Sequence, residues 1–271
     1  METYLITFSP TGTSRRVARA VAGGLGFVCN DIDVTYKGSG RLVVPSDGVV
    51  VAAVPVYGGH PAPVALQRLA ELSSEGAAAV AIAVYGNRDY EGALDELCVF
   101  LRKAGLRVVA AAAFVGEHSY STAEFPIAPG RPDSDDLAVA EQFGRDVRIK
   151  LMEGGVGAAE VDAACMEHVP VPDDARRRFI EGVTLLHSVP GQNPRVPAAD
   201  ACLCTGCGQC VSLCPTGAIR SSEPLLTDQD LCIRCCACVK GCGQGARVFR
   251  TPYAPLLSAN FRVPRQPETL L

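Results

Sequence analysis

The stretch TYLITFSPTGTSRRVARAVAGG, residues 3–24, holds an apolar segment, a loop rich in hydroxyl groups and a helical segment, in that order. Residues 3–8 predict a β-strand, whereas Val17 and Val21 repeat at the spacing of one helix face. The same alternation continues through the first half of the chain. It predicts strands at about 27–34, 47–55, 77–85 and 106–115, and helices at about 62–73, 90–104 and 134–151. Strands that alternate with helices favour a parallel sheet of the α/β class.

The loop SPTGTS, Ser9 to Ser14, lies between the first predicted strand and the first predicted helix. It lacks both the GK[ST] ending of a Walker loop and the GxGxxG pattern. It offers four hydroxyl groups around Gly12 at a helix N-terminus, where backbone N–H groups and the helix dipole favour a phosphate. The alternative is that these hydroxyl groups only cap the helix.

Two further loops follow predicted strands. PVYGGHP, residues 55–61, contains an aromatic residue and two glycines, and YGNRDY, residues 85–90, contains a polar turn between two tyrosines. The carboxyl ends of parallel strands meet at one edge of a sheet, which is where α/β folds bind their ligands. We therefore expect all three loops at the same edge.

The ordered set of three loops resembles the flavodoxin-like family over residues 1–152. The resemblance implies a doubly wound, parallel five-stranded sheet that binds FMN. The matching residues are Ser9, Thr11, Gly12, Thr13 and Ser14 for the phosphate, and Pro55, Val56, Tyr57, Gly58, Gly59, Gly86, Asn87, Arg88, Asp89 and Tyr90 for the ring. The chain departs from the family in having no Trp to stack on the flavin, and its stretch 34–47 is too short for a full crossover helix.

The second half is rich in cysteine, and ten of the thirteen cysteines follow residue 200. Eight of them form two runs of identical x2-x2-x3 spacing, Cys204-Cys207-Cys210-Cys214 and Cys232-Cys235-Cys238-Cys242. Three thiolates three residues apart can surround one face of an iron–sulfur cubane. Zinc ribbons, the alternative, use pairs of cysteines without a third one three residues on. The runs therefore predict iron–sulfur clusters.

Together with CPTGAI at 214–219, the two runs resemble the bacterial two-cluster ferredoxins over about residues 198–250. The resemblance implies a small α+β domain with two [4Fe–4S] clusters. In that family the fourth cysteine of each run ligates the cluster of the other run. The implied ligands are Cys204, Cys207, Cys210 and Cys242 for one cluster and Cys232, Cys235, Cys238 and Cys214 for the other. Gly243 stands where the second run normally has proline.

The combination resembles the flavodoxin–ferredoxin fusion proteins of anaerobes. It implies a flavodoxin-like domain at 1–152, a linker at 153–197, a ferredoxin domain at 198–250 and a C-terminal tail at 251–271. The expected function is electron transfer between the clusters and FMN, which couples one-electron and two-electron redox partners in anaerobic metabolism. The partners would be a low-potential donor and an acceptor enzyme.

An FMN-dependent reductase of a small molecule, supplied with electrons by its own clusters, is the alternative. It would need a proton donor, and His118 and Tyr120 in the loop GEHSYS are the candidates. Both side chains are equally compatible with a role in stabilising that loop. A redox sensor would need an output element, and we identify none in the sequence.

Composition and charge exclude other classes. Hydrophobic residues make up 48 % and charged residues 20 %, as in a globular protein, and no apolar run has the length of a membrane span. No basic block predicts nucleic-acid binding, and we expect a cytoplasmic protein. Four basic residues near the second run would raise the potential of that cluster, meet the acidic first half of the chain, or form solvated surface: Arg234, Lys240, Arg247 and Arg250.

Overall fold

The structure is a computed structural model that describes residues 1–38, 40–154, 157–188 and 194–271. The chain forms two compact units. The first unit comprises Met1–Glu117, Gly130–Pro170 and Arg265–Leu271, and the second unit comprises His118–Pro129 and Val171–Pro264. The predicted linker and the predicted C-terminal tail are thus each divided between the two units.

The elements follow the predicted alternation through the first half of the chain. The strands are β1 Glu2–Thr7, β2 Val28–Asp33, β3 Leu42–Val44, β4 Val49–Tyr57, β5 His60–Pro61, β6 Leu72–Ser74, β7 Ala78–Tyr85, β8 Arg107–Val115, β9 Ala198–Ala199, β10 Arg247–Val248 and β11 Glu268–Leu270. The helices are α1 Thr13–Leu25, α2 Pro63–Arg68, α3 Ala93–Lys103, α4 Ser134–Gly154, α5 Asp173–Ser188, α6 Gln209–Ser212, α7 Ala237–Lys240 and α8 Tyr253–Asn260, with a 3-10 turn at Ala163–Cys165.

Five parallel strands form the sheet of the first unit, in the order β2-β1-β4-β7-β8. Numbered among themselves, they run 2-1-3-4-5, which is the order of the flavodoxin-like doubly wound fold. The predicted fold class is therefore confirmed. The predicted helix at 62–73 is shorter than expected, because α2 ends at Arg68 and the short strand β6 follows it and pairs with β3.

A sixth strand joins the same sheet and was not predicted. β11 runs antiparallel to β8, with Glu268 opposite Ala113 and Leu270 opposite Ala111. Further along the same edge, the N–H of Val161 donates to the carbonyl of Val108 at 2.9 Å. The outer edge of β8 is thus covered along much of its length.

Both faces of the central strands are buried. Every residue of β7 is buried, as expected for a parallel strand with helices on either side. Its residues Ala78, Val80, Ile82 and Val84 belong to the apolar cluster that α1 and α4 complete, whereas α3 packs against β7 and β8 without contributing to that cluster.

Helices α1 and α4 approach each other closely because glycines lie at their crossing. A Cβ atom on Gly24 would overlap the carbonyl oxygen of Glu141, and one on Gly144 would overlap the carbonyl oxygen of Val21. The missing side chains therefore set the distance between the two helices, and the sheet face beneath them is sealed by Val17, Val21, Phe143 and Val147.

In the described part of the second unit, the helix α5 of 16 residues accompanies shorter helices and a two-stranded sheet, the predicted α+β composition. β9 and β10 pair antiparallel, with Ala199 opposite Arg247. A small apolar cluster of Ile127, Ala175, Leu257 and Phe261 joins the loop 118–129 to α5 and α8. Within the described ranges, no helix of either unit is long and apolar enough to cross a membrane.

Candidate functional site

The two cysteine runs have the same local structure, repeated 28 residues further along the chain. In each run the third cysteine lies in a single-turn helix, α6 or α7, whose N-cap residue is in the left-handed region. The N–H of Cys204 donates to the carbonyl of Asp200 at 3.0 Å, and the N–H of Cys232 donates to the carbonyl of Asp228 at 3.1 Å. The second unit therefore contains an internal duplication.

The first residues of each repeat are hydrogen-bonded to the last residues of the other repeat. The N–H of Asp200 donates to the carbonyl of Ala246 at 2.8 Å, and the N–H of Asp228 donates to the carbonyl of Ala218 at 2.8 Å. Ala218 and Ala246 each lie four residues after the fourth cysteine of their own run. These reciprocal bonds bring that fourth cysteine beside the first three cysteines of the other repeat.

Two cavities result, and the predicted ligand cysteines line them in groups of four. Cys204, Cys207, Cys210 and Cys242 line the first thiol cavity. Cys214, Cys232, Cys235 and Cys238 line the second thiol cavity. Each cavity thus collects the cysteines of one crossed set that the ferredoxin resemblance implies, and their role as ligands stays a prediction. The thiols surround a space and do not converge on a point, and within the described residues no three His, Cys, Asp or Glu side chains could hold a single metal ion.

Backbone N–H groups point at the crossing cysteines. The N–H of Ala218 donates to Cys214 Sγ at 3.2 Å. Burial raises the pKa of Cys242, but hydrogen bonds from four backbone N–H groups outweigh burial and leave that pKa below its ordinary value. The four donors are Arg247, Gln244, Ala246 and Gly245. Donors of this kind stabilise thiolate sulfur, the form that ligates iron, so the two cavities fit iron–sulfur clusters.

The two cavities differ in their exposure. Cys207 of the first thiol cavity is exposed, whereas Cys235 and Cys238 of the second are buried. Burial raises the pKa of Cys235 to about 11 and that of Cys238 to about 12. Cys236 is also buried and lies against the second thiol cavity, although it is outside the predicted ligand set.

The phosphate loop of the first unit presents two of its four hydroxyl groups outward. Ser9 and Ser14 are buried, and Ser9 Oγ accepts the N–H of Arg15 at 3.1 Å. The hydroxyl oxygens of Thr11 and Thr13 lie 3.2 Å apart at the start of α1. Gly12 is the N-cap of α1 in the left-handed conformation, with φ of 80°, and it has no side chain to cap the helix, so the Ser9 hydroxyl at the N–H of Arg15 is the side-chain cap of the first turn. The start of α1 therefore fits a phosphate group.

Sequence reasoning missed the support of this loop. Thr35 is buried just after β2, and its hydroxyl oxygen accepts the N–H of Ser9 at 2.8 Å. The Thr35 N–H in turn donates to Asp33 Oδ1 at 2.8 Å. Asp33 also accepts Arg15 Nη1 at 2.7 Å, so β2 and α1 hold the loop from both sides.

The second loop is a tight hairpin. Pro55, Val56 and Tyr57 end β4, and Tyr57 pairs with His60 of β5 across a two-residue turn. Gly58 and Gly59 have φ of 63° and 89°, which is the pattern of a type I′ turn. A Cβ atom on Gly59 would overlap the carboxylate of Glu91, so the second loop lies directly against the third.

The third loop is held from within the first unit by residues that are distant in sequence. Asn87 is 2 % exposed, and its Oδ1 accepts the N–H of Arg265 at 2.9 Å. The hydroxyl of Tyr90 donates to Glu268 Oε2 at 2.5 Å. The Tyr90 ring makes edge contacts with Tyr85 and with His168, at centroid distances of 5.3 and 4.6 Å.

Tyr90 is consequently turned into the protein, and only 5 % of it is exposed. Burial and the neighbouring carboxylate of Glu268 raise its pKa. Little of its ring is therefore exposed for stacking on a flavin. His168 bridges the same region, with Nε2 at 3.2 Å from Asp89 and Nδ1 at 3.1 Å from Glu268. No sequence motif marks His168, Arg265 or Glu268, because each acts through a contact that only the fold creates.

The two candidate proton donors lie together in the second unit. Tyr120 donates its N–H to His118 Nδ1 at 3.0 Å, and the two rings are 4.8 Å apart. Tyr120 also contacts the ring of Phe249 at 5.3 Å. Burial raises the pKa of the Tyr120 phenol, which makes it a poor donor of a proton near neutral pH. These contacts support the loop-stabilising alternative for both residues.

One family of known proteins matches part of the second unit. Residues 203–220 match the family described as "4Fe-4S binding domain". No curated protein matches the chain. The match covers the first cysteine run and thus one of the two repeats.

Solved structures similar to the chain each align with 56 % of it. An archaeal flavodoxin has 14 % identity, a TM-score of 0.42 and 99 % of its own chain covered. A WrbA-like flavodoxin from Agrobacterium tumefaciens has 17 % identity, a TM-score of 0.35 and 98 % covered. A flavodiiron protein from Giardia intestinalis has 16 % identity, a TM-score of 0.33 and 35 % covered.

The chain therefore joins a flavodoxin-like sheet, identified by its strand order, to a 4Fe-4S binding domain. This is the combination that a flavodoxin–ferredoxin fusion requires. A 4Fe-4S binding domain carries electrons, so the chain has a redox role.

Proposed function

We propose that this protein transfers electrons between two [4Fe–4S] clusters and FMN, and so couples one-electron and two-electron redox partners in anaerobic metabolism. The observation that carries the proposal is the pair of thiol cavities, each lined by three cysteines of one run and the fourth of the other. When bound, a cluster supplies single electrons, whereas a flavin accepts one or two.

The cysteines would hold the clusters in the crossed pattern. Cys204, Cys207, Cys210 and Cys242 would ligate one cluster, and Cys214, Cys232, Cys235 and Cys238 the other. The exposed Cys207 makes the first thiol cavity the better point of electron exchange with a partner protein, since short distances to the surface favour transfer. The buried cysteines of the second cavity shield their cluster from solvent.

The three loops of the first unit would hold FMN. Thr11 and Thr13 would donate hydroxyl hydrogen bonds to the phosphate, together with the free N–H groups at the start of α1. The hairpin turn at Gly58–Gly59 would border the ring system. Asn87, Arg88 and Asp89 would shape the third side of the site. The protein would act in the cytoplasm, with a low-potential donor and an acceptor enzyme as its partners.

Ligand variants grouped in pairs test the crossed pattern in the anaerobically purified full chain. The wild type is expected to contain about eight iron and eight labile sulfide per chain, as two cubanes require. Cys214→Ser and Cys238→Ser should lose the same EPR signal, and Cys210→Ser and Cys242→Ser should lose the other one. The serine variant of the exposed Cys202 is the matched control and should retain both signals.

The proposal fails if zinc replaces iron or if the wild type holds a single cluster. The crossed pattern alone fails if Cys214→Ser and Cys210→Ser lose the same signal, because each run would then ligate its own cluster with all four cysteines.

A further inference from the structure

The internal duplication of the second unit contains one marked asymmetry. Ile219 and Arg247 occupy equivalent positions, each five residues after the fourth cysteine of its run. Ile219 is 2 % exposed and lines the second thiol cavity, whereas Arg247 is 3 % exposed and lines the first. A buried guanidinium thus stands where the other repeat has an apolar side chain.

The contacts of Arg247 satisfy only part of its guanidinium. Nη1 donates to the hydroxyl oxygen of Thr227 at 2.6 Å, and Nη2 donates to the carbonyl of Pro224. Nε is buried and has no hydrogen-bond partner among the residues that the structure describes. Over the same residues no carboxylate pairs with Arg247. Its positive charge is held in the protein by neutral groups alone.

Such a charge is unfavourable unless an anion lies nearby. A buried ion without a counter-ion loses its hydration and gains little in return. The cavities beside Arg247 collect eight thiols, and a [4Fe–4S] cluster with four thiolate ligands is negatively charged. The clusters would therefore be the counter-ions that the described protein atoms do not provide.

The contacts of Arg247 involve both thiol cavities. Arg247 lines the first cavity, and Thr227, to which Nη1 donates, lines the second. The buried charge therefore lies beside the first cavity and is one hydrogen bond away from the wall of the second.

We infer that Arg247 raises the reduction potentials of both clusters. Reduction adds a negative charge to a cluster, and a buried positive charge nearby stabilises the reduced form. Arg234, Lys240 and Arg250 are exposed, so solvent and salt screen their charges. Of the four basic residues near the second run, Arg247 is the one that tunes the clusters. The inference rests on the proposed presence of two clusters.

Redox titration of the anaerobic full chain, followed by EPR, tests the inference after iron and sulfide have been counted. Arg247→Met keeps the length of the side chain and removes its charge. We expect its midpoint potentials to fall, with at least a tenfold lower ratio of reduced to oxidised cluster at a fixed potential. For a one-electron couple this is about 59 mV. Arg247→Lys keeps the charge without the forked hydrogen bonds, and its potentials should stay near those of the wild type.

Arg250→Met is the matched control, because Arg250 is exposed three residues away, and its potentials should not change. Unchanged potentials in Arg247→Met would overturn the inference. An equal fall of the midpoint potentials in the Met and Lys variants, or loss of iron from both, would show that Arg247 acts through its hydrogen bonds and not its charge. Either result would also overturn the inference. If the iron count showed that the wild type does not hold two clusters, the proposed function would be wrong, and this result is distinct from unchanged potentials in a protein with two clusters.

Discussion

The interior of each compact unit is stabilised in a different way. The first unit encloses a large apolar cluster that includes Leu5, Val51, Ile82, Phe114 and Phe143, all at most 3 % exposed. The apolar cluster of the second unit has four buried members, and the segment with the cysteine runs is arranged around two thiol cavities. Packing therefore suffices for the first unit, whereas the second depends on what its cysteines bind.

Removal of iron should have the largest effect and should separate the two units. We expect amide hydrogen exchange between residues 198 and 248 to lose its protection when the clusters are removed, because ligand binding there is folding free energy. Amides of β4 and β7 should stay protected. Exchange of the full chain before and after cluster removal, read by mass spectrometry, makes the comparison. Retained protection in the cysteine segment would show that it folds without metal.

Loss of two phosphate-loop hydroxyls should weaken cofactor binding without unfolding the first unit. Thr11→Val with Thr13→Val keeps the shape of both side chains and removes two donors at the start of α1. Each hydrogen bond to a charged group contributes about 1.5–3 kcal/mol, so FMN affinity should fall roughly a hundredfold or more. Riboflavin, which has no phosphate, should bind both proteins equally. A similar loss for riboflavin in calorimetric titration would show that the hydroxyls do not recognise phosphate.

A methyl group at the crossing of α1 and α4 should destabilise the first unit directly. Gly144→Ala places a Cβ atom against the carbonyl oxygen of Val21, which cannot rotate away. We expect a loss of about 2–3 kcal/mol in the free energy of unfolding. Gly23→Ala is the matched control, since nothing lies within 4 Å of a Cβ there, and it should be neutral or stabilising. Equal denaturation midpoints for the two variants would mean that the helix crossing is loose.

The smallest effect is expected from backbone strain beside the cysteine runs. Gly217, which follows the first run, has φ of 67° with open space around a Cβ and lines neither thiol cavity, so Gly217→Ala should cost about 1–2 kcal/mol from conformation alone. Gly243 has open space too but no positive φ, and Gly243→Ala should be close to neutral. Anaerobic melting followed by cluster absorbance measures both. Equal melting temperatures for the two alanine variants would show that a positive φ at this glycine contributes no measurable stability difference.

The sequence predicted those features that repeat or alternate. The apolar segment of β7 and the strand–helix alternation predicted the parallel sheet, and the x2-x2-x3 spacing predicted two groups of cysteines suited to iron–sulfur clusters. Spacing carries this information because the geometry of strands and of cubane ligation is local. The environment of each cavity is not local, so the exposure of Cys207 and the burial of Arg247 could not be read from the pattern.

Contacts between distant residues account for the rest. Tyr90 and Glu268 are 178 positions apart, and the three residues ETL of β11 are too few to predict a strand. Their pairing depends on an edge that only the folded sheet provides. The loop 118–129 likewise follows β8 in sequence but belongs to the second unit. Sequence reasoning therefore predicted the strand, loop and helix around Ser9–Ser14 and missed the residues that surround Tyr90.

The outer edge of β8 has a consequence for synthesis of the chain. The nine residues Arg107–Val115 are almost wholly apolar, and an uncovered strand of this kind is a template for pairing with other molecules. Lys150 donates to the carbonyl of Val109, Val161 to that of Val108, and β11 pairs with Ala111–Ala113. β11 emerges from the ribosome long after β8. Until then the nascent first unit carries an open edge, so its protection from aggregation during translation depends on residues that follow β8 by more than 150 positions.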